Sequence, residues 1–211
     1  MGIKRESALR EIKSPCYGTL PFLNSIRQAL SPLVVGLSLL ASSVTNPISA
    51  DQNASELPGL FSELKSATSA EGAARVEAEI WLLWLEIDDQ KSSALLDQIV
   101  HAMETRNLDE ALIASDELIA HNPDFAEGWN KRATIHYLMG RYESSVNDIR
   151  QTLLREPRHF GAISGLGLIF LRKGDLPSAL EAFERVLEIS PQSINAQRSA
   201  ESVKGQIGEE I

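Results

Sequence analysis

The sequence predicts an all-α protein, a solenoid built from pairs of packed helices, and three observations support this fold class. The spacing from Pro123 to Pro157 equals the spacing from Pro157 to Pro191. Between these prolines, apolar residues follow helical spacing in two segments per interval. Gly140 and Gly174 fall between those segments, where a helix commonly ends in a left-handed residue. A proline disfavours helix in the residue before it, so each proline separates one pair from the next.

The composition limits the classes of function. Hydrophobic residues make up 43% and charged residues 23%, which is typical of a globular protein, and the formal net charge is -9. Nucleic acids and anionic membrane surfaces attract basic proteins, so the acidic balance argues against both as partners. The single cysteine, Cys16, lies near the amino terminus, so the chain from residue 51 onward can form neither an intrachain disulfide nor a thiolate metal site.

Residues 1–50 have the layout of a secretory signal. Basic residues precede an apolar stretch at residues 33–41, and small and turn-forming residues follow before the acidic Asp51. This order of basic region, apolar core and small-residue cleavage site is typical of a signal peptide. We therefore expect cleavage after Ala50, export to the periplasm, and no stable membrane span afterwards. An uncleaved membrane anchor is the alternative, although a spanning helix needs about 20 mainly apolar residues.

Residues 51–91 are expected to form a polar lead followed by a helical hairpin. Apolar and aromatic residues, Trp81 and Trp84 among them, recur through residues 58–88. Two interpretations remain open: the segment is a decayed fourth repeat, or it is a plain capping hairpin. Aromatic residues at helical spacing usually belong to the core, but Trp81 and Trp84 also form a candidate contact patch.

Three intervals of equal length follow, at 92–125, 126–159 and 160–193. In the second interval, the apolar pattern predicts one helix within residues 126–139 and another within 143–155. Each interval is therefore expected to be one pair of helices.

The chain after the last interval is expected to be a capping helix and tail, at residues 194–211. One helical face collects Ile194, Gln197, Ala200, Val203 and Ile207. A solenoid needs such a terminal helix, with a polar outer side, to cover its last repeat. With this helix the prediction is about eight helices in all.

The intervals resemble tetratricopeptide (TPR) repeats. In residues 126–159 the signature positions hold Trp129, Ala133, Gly140, Tyr142, Ser145, Leu153 and Pro157. In residues 160–193 they hold Leu166, Gly167, Phe170, Gly174, Ala179, Phe183 and Pro191. Residues 92–125 match through Leu95, Leu108, Ala111, Leu118 and Pro123, with Arg106 where the family usually has glycine. The resemblance implies a right-handed solenoid of three repeats of antiparallel helices, in which Ala133 and Gly167 allow close helix packing.

The same resemblance implies that the first helix of each repeat lines a concave groove for a peptide or helix. We therefore expect a protein-interaction scaffold or adaptor of the bacterial periplasm or cell envelope, with a protein or peptide partner. The candidate groove residues are Val100, Met103, Asn130, Lys131, Thr134, Tyr137, Leu168 and Arg172. Two alternatives stay open: several of these residues belong to the core, or the protein is a structural module that forms a homo-oligomer through the tryptophan-containing hairpin.

Two kinds of site are not expected. TPR domains that bind chaperone tails hold a C-terminal carboxylate in a clamp of lysine, asparagine and arginine. Here Leu96, Val100, Gly161 and Gly165 occupy four of the clamp positions, and only Lys131 remains. The four histidines show no metal-binding HExxH pattern, and no GxSxG motif marks a nucleophile. We therefore expect no enzymatic activity, no cofactor and no metal.

Overall fold

The computed structural model describes residues 54–209, and this part of the chain forms nine helices without a strand. The helices are α1 (Leu57–Ser66), α2 (Ala70–Leu85), α3 (Gln90–Glu104), α4 (Leu108–His121), α5 (Ala126–Leu138), α6 (Tyr142–Arg155), α7 (Phe160–Lys173), α8 (Leu176–Ile189) and α9 (Ile194–Glu209). The predicted all-α fold class is confirmed. The predicted signal in residues 1–50 lies outside the described residues.

The two helices of each repeat are joined by the same tight turn. Arg106, Gly140 and Gly174 take positive φ angles of 59°, 73° and 76° in the three turns. In each turn a backbone N–H reaches back to a carbonyl five residues earlier, as from Arg141 to the His136 oxygen at 2.8 Å. Glycine tolerates this left-handed conformation because it has no Cβ, whereas arginine is strained in it.

Small residues allow the paired helices to approach closely. A Cβ added to Gly167 in α7 would lie only 2.8 Å from the ring of Phe183 in α8. In the preceding repeat, the Ser145 hydroxyl of α6 donates a 2.7 Å hydrogen bond to the Ala133 carbonyl of α5. The expected close approach is therefore confirmed at Gly167, and a larger side chain there would force the two helices apart.

The terminal helices complete the array in different ways. α9 packs on α8 and buries Ala196, Ala200 and Val203. The α1–α2 hairpin instead packs mainly on the third repeat, where its buried residues meet Phe160 and Ile163 of α7 as well as part of α8. Helix α2 also contacts α5 of the second repeat. Among the helices of residues 54–209, none is long and apolar enough to cross a membrane.

Candidate functional site

The first helices of the three repeats form a shared face, from which the predicted groove residues come. α3 contacts α5, and α5 contacts α7, so the three helices lie next to one another. The arrangement follows from the constant length of the repeat, because equal spacing brings equivalent residues of successive first helices to the same level. The solvent side of α3, α5 and α7 is called the inner face below.

The eight predicted groove residues differ in how far they reach the solvent. Six are half-buried, namely Val100, Met103, Asn130, Lys131, Thr134 and Leu168. Arg172 is exposed, and its Nε donates a 3.4 Å hydrogen bond to the Tyr137 hydroxyl, which joins α7 to α5. Tyr137 is only 8% exposed and belongs to the hydrophobic core. The Tyr137 ring therefore serves mainly in packing.

One row of the inner face is open to solvent. Glu104, Leu138 and Arg172 occupy the same position in the three repeats, near the ends of α3, α5 and α7. All three are exposed, and Leu138 keeps 51% of its surface accessible. Neighbouring helix axes lie about 8–10 Å apart, so the row extends over roughly 16–20 Å. These three residues, the open row, run from an acidic end through an apolar centre to a basic end.

A buried polar cluster underlies another part of the inner face. Glu127 is 1% exposed, and its Oε2 accepts hydrogen bonds from Asn130 at 2.9 Å and from His159 Nε2 at 3.0 Å. The other carboxylate oxygen lies 3.4 Å from Lys131 Nζ. His159 Nδ1 accepts the Ala162 N–H at 3.1 Å, so Nε2 carries the proton that is donated to Glu127. No motif in the sequence indicates this cluster, which links the second repeat to the third.

Glu127 stays ionised in this cluster. Burial disfavours the carboxylate and raises its pKa, but the positive charge of Lys131 and the hydrogen bond from His159 outweigh burial, so the pKa lies below its ordinary value. The side chain of Lys131 is 12% exposed and is held beside Glu127. Lys131, the one residue left for a carboxylate clamp, therefore has a structural partner.

The α1–α2 hairpin covers the amino-terminal end of α7. The Trp84 indole stacks on the His159 ring, with ring centroids 4.2 Å apart and planes inclined by 9°. Trp81 meets His159 and Phe160 edge-on, at centroid distances of 5.2 and 5.6 Å. Trp84 is 2% exposed. In this conformation the tryptophans thus contact their own chain, and a homo-oligomer contact through Trp84 would require the hairpin to leave the third repeat.

Gly161 makes room for Trp81. A Cβ on Gly161 would lie 2.7 Å from two ring carbons of Trp81, closer than real contacts allow. The equivalent residues of the other two repeats are Ser93 and Glu127, which both carry side chains. Of the three repeats, the third therefore has room for a large aromatic ring at this position of its first helix. Gly161 is the feature of the sequence that indicates this space, although the sequence does not show that Trp81 fills it.

The residues outside the groove offer no assembled metal site. In the part of the chain that the structure describes, no three His, Cys, Asp or Glu side chains are grouped so that they could hold a metal ion. Of the four histidines, His121 pairs with Asp89 at 2.9 Å, and His159 belongs to the Glu127 cluster.

The stacked helix pairs with a shared inner face define a helical-repeat protein, and comparison with known proteins assigns the family. Residues 133–194 match the family model described as tetratricopeptide repeat. A TPR repeat-containing protein of Rhizobium etli is 37% identical over 184 residues, which cover 83% of this chain and 90% of the relative. The chain belongs to the tetratricopeptide repeat family. A continuous alignment of that length has to include the α1–α2 hairpin.

Solved structures share the fold at low sequence identity. The first TPR domain of Spaghetti (RPAP3), bound to an HSP90 peptide, matches with a TM-score of 0.54 and 19% identity, covering 58% of this chain and 97% of that one. MamA matches with a TM-score of 0.53 and 18% identity, covering 66% and 79%. At this level of identity the likeness establishes the fold.

Proposed function

We propose that this protein is a protein-interaction scaffold that binds a peptide or helix of a partner protein on its inner face. The observation that carries the proposal is the open row, in which Glu104, Leu138 and Arg172 are exposed and aligned across three repeats. An apolar centre between opposite charges suits a segment with an apolar residue flanked by a basic and an acidic one. Complementary charges of this kind orient a ligand and favour one register over others.

Relatives of known structure support this class of partner. The first TPR domain of Spaghetti holds an HSP90 peptide, and the TPR2B domain of yeast Sti1 is in complex with pHsp70. A clamp for a C-terminal carboxylate is not part of the proposal, because Val100 and Gly161 occupy clamp positions and Lys131 is paired with Glu127. The proposed ligand is therefore an internal segment or a helix.

We further propose that the scaffold acts in the periplasm or cell envelope of a bacterial cell. The support is the signal-like layout of residues 1–50. Amino-terminal sequencing of the protein made in its host is expected to begin at or near Asp51. A cytoplasmic product that begins at Met1 would contradict this setting.

The substitution Leu138→Glu tests the open row. A carboxylate in the apolar centre is expected to reduce partner capture at least about tenfold, which corresponds to about 1.4 kcal/mol of binding free energy. Folding should be little affected, because Leu138 is 51% exposed. The measurement is affinity capture from an envelope extract of the host, with helical content checked by circular dichroism.

Leu154→Glu is the matched control. Leu154 lies on α6, the second helix of the same repeat, and is 69% exposed. This variant is expected to capture the partner as the unmodified protein does. Equal losses in both variants would attribute the effect to added charge, and full capture by Leu138→Glu would place the partner elsewhere on the molecule.

A further inference from the structure

The contact between the hairpin and the third repeat joins two distant parts of the chain. Buried apolar residues of the hairpin, including Val76 and Ile80, pack with Ile163 of α7 and Val186 of α8. The hairpin leads into α3 through residues 86–89, which are not helical. The hairpin is therefore held on the third repeat by surface contacts, because the non-helical residues 86–89 that connect it to the first repeat do not fix its position.

The surface that receives the hairpin, at the junction of the second and third repeats, is held in place by residues outside the hairpin. Glu127 and the Ala162 N–H fix both nitrogens of His159. Arg158 is likewise held, because its Nε and Nη2 donate to the two oxygens of the buried Glu156 at 2.9 and 2.8 Å. A surface whose side chains are already fixed loses less conformational entropy when a ligand arrives.

The hairpin presents aromatic faces to this surface and few directional bonds. Trp84 stacks on His159, while its buried Nε1 has no hydrogen-bond partner among the described residues. The Arg158 guanidinium lies over the ring of Phe61 in α1, with its central carbon 4.0 Å from the ring centroid. Trp81 and Trp84 are three residues apart on α2 and therefore share one face of that helix. Recognition here depends mainly on ring packing, much of which a helix with suitably spaced aromatic residues can supply. Glu77 of α2 adds one hydrogen bond, which it accepts from the Ser190 hydroxyl at 2.8 Å.

We propose that Arg158, His159, Phe160 and Gly161, together with Val186, form a docking site for an amphipathic helix that carries two aromatic side chains one turn apart. This site is called the aromatic seat, and the α1–α2 hairpin is its resident occupant. A partner helix of the same chemistry binds the seat by displacing the hairpin. The seat lies on the inner face but apart from the open row, so this inference rests on the function proposed above and adds a second site and the chemistry of its ligand.

Competition with the hairpin sets the requirement for such a partner. A tethered segment has an effective concentration on the order of millimolar, so it excludes weak ligands from the seat. A partner helix gains access when the hairpin opens and then has to bind more favourably than the hairpin does. The hairpin thereby restricts the seat to ligands with the matching aromatic pair.

A fluorescein-labelled synthetic peptide with the sequence of residues 57–85 is the probe. In the purified protein with Trp81→Ala and Trp84→Ala, loss of the ring contacts is expected to weaken the docking of the hairpin. This variant should therefore bind the peptide at least about tenfold more tightly than the unmodified protein. Adding Gly161→Leu, which fills the space of the Trp81 ring, should remove the binding. A peptide in which alanine replaces both tryptophans should not bind. Fluorescence anisotropy measures all four pairs.

Three results would overturn the aromatic seat. The first is a double variant that keeps its helical circular dichroism and does not bind the peptide. The second is binding that survives Gly161→Leu. The third is an unmodified protein that binds the peptide as tightly as the double variant does. Hydrogen exchange of the unmodified protein tests, without any substitution, whether the hairpin opens. The amides of α1 and α2 should exchange before those of α5 to α8 through local opening, and equal protection of all these helices would refute displacement. Leu138→Glu should leave peptide binding unchanged, so the seat and the open row are tested separately.

Discussion

At the scale of single residues, Arg106 shows how strongly the repeat determines the backbone. Arg106 takes a φ of 59° at the turn where Gly140 and Gly174 stand in the other two repeats. A side chain in this conformation costs roughly 1–2 kcal/mol, because Cβ crowds the following carbonyl. The turn nevertheless keeps its form, since the Asn107 N–H bonds the Ala102 carbonyl at 2.8 Å as its equivalents do.

Arg106→Gly should therefore raise the free energy of unfolding by about 1 kcal/mol, after allowance for the greater freedom of glycine in the unfolded chain. The midpoint of thermal unfolding should rise by about 2–4 °C. Arg141→Gly is the control, because Arg141 is also exposed but has a φ of -88°. Denaturant and thermal melts should show no gain for the control. A similar gain in both variants would rule out the positive φ as the cause.

The same scale shows where sequence reasoning about the site stops. Repeat position placed Lys131 and Tyr137 on the inner face, and both residues do lie on α5. However, the position of a residue in a repeat does not show how deeply its side chain is buried. Tyr137 lies in the core at 8% exposure, and Lys131 is drawn toward Glu127, which also contacts His159 at the far end of the same repeat. Glu127 and Lys131 are four residues apart on α5, but Glu127 and His159 are 32 residues apart, and the helical pattern of α5 alone contains no sign of that second contact.

At the scale of helices, the local patterns predicted where helices form, and they did not predict the contact that the hairpin makes. The pattern that predicted a helix within residues 143–155 corresponds to α6, Tyr142–Arg155, and α9, Ile194–Glu209, lies within the segment 194–211 that was predicted to be a capping helix and tail. Both rest on apolar residues that are neighbours along one helix. Arg158, the first residue of the aromatic seat, follows Trp84 by more than two repeat lengths. Because the two parts of the contact are so far apart in the sequence, no local periodicity could reveal it.

Val203→Asp tests the capping role of α9. Val203 is fully buried, and an unpaired carboxylate in its place should destabilise the docking of α9 by at least about 3 kcal/mol. Loss of the cap exposes the apolar side of α8, including Leu180 and Leu187. We expect concentration-dependent association in light scattering and earlier proteolysis near the carboxyl terminus.

Ser202→Asp is the matched control for the cap, because Ser202 is the exposed neighbour of Val203 on the same helix. It adds the same charge on the solvent side and should remain as dispersed and as protease-resistant as the unmodified protein. A Val203→Asp variant that stays monomeric and resistant would show that α9 does not protect α8.

At the scale of the whole molecule, the acidic groups predict loss of stability in acid. The hydrogen bond that Asp89 accepts from Ser92 is the main reason why its pKa falls to about 2. For Glu127, burial raises the pKa, but the opposing effects of Lys131 and His159 are larger, so the pKa lies below its ordinary value of 4.5. Because both folded-state pKa values are lowered, the unfolded chain binds more protons in acid. The stability contributed by these groups is complete above about pH 4.5 and decreases as the pH falls toward about 2.

Glu127→Gln should flatten this profile. The amide can keep a hydrogen bond to His159 but cannot be protonated, so the variant should be less stable at pH 7 and should lose less stability below pH 4.5. Glu143→Gln is the comparison, since the pKa of Glu143 is lowered by its bond to Lys173 at the exposed surface, where ion pairs contribute little. Urea unfolding between pH 2 and 7 measures both. Parallel profiles for Glu127→Gln and the unmodified protein would contradict the role given to the buried carboxylate.

The docking of the first hairpin on the last repeat also orders events during synthesis. Trp84 precedes His159 by about 75 residues, which at about 5–20 residues per second corresponds to a delay of roughly 4–15 s. Throughout that interval the nascent chain carries a tryptophan pair whose receiving surface has not yet been made. The contact thus joins the first two helices of residues 54–209 to α7 and α8, which are made much later. A chain that stops before α7 would keep the pair exposed, and exposed apolar surface of this kind is what chaperones and proteases recognise.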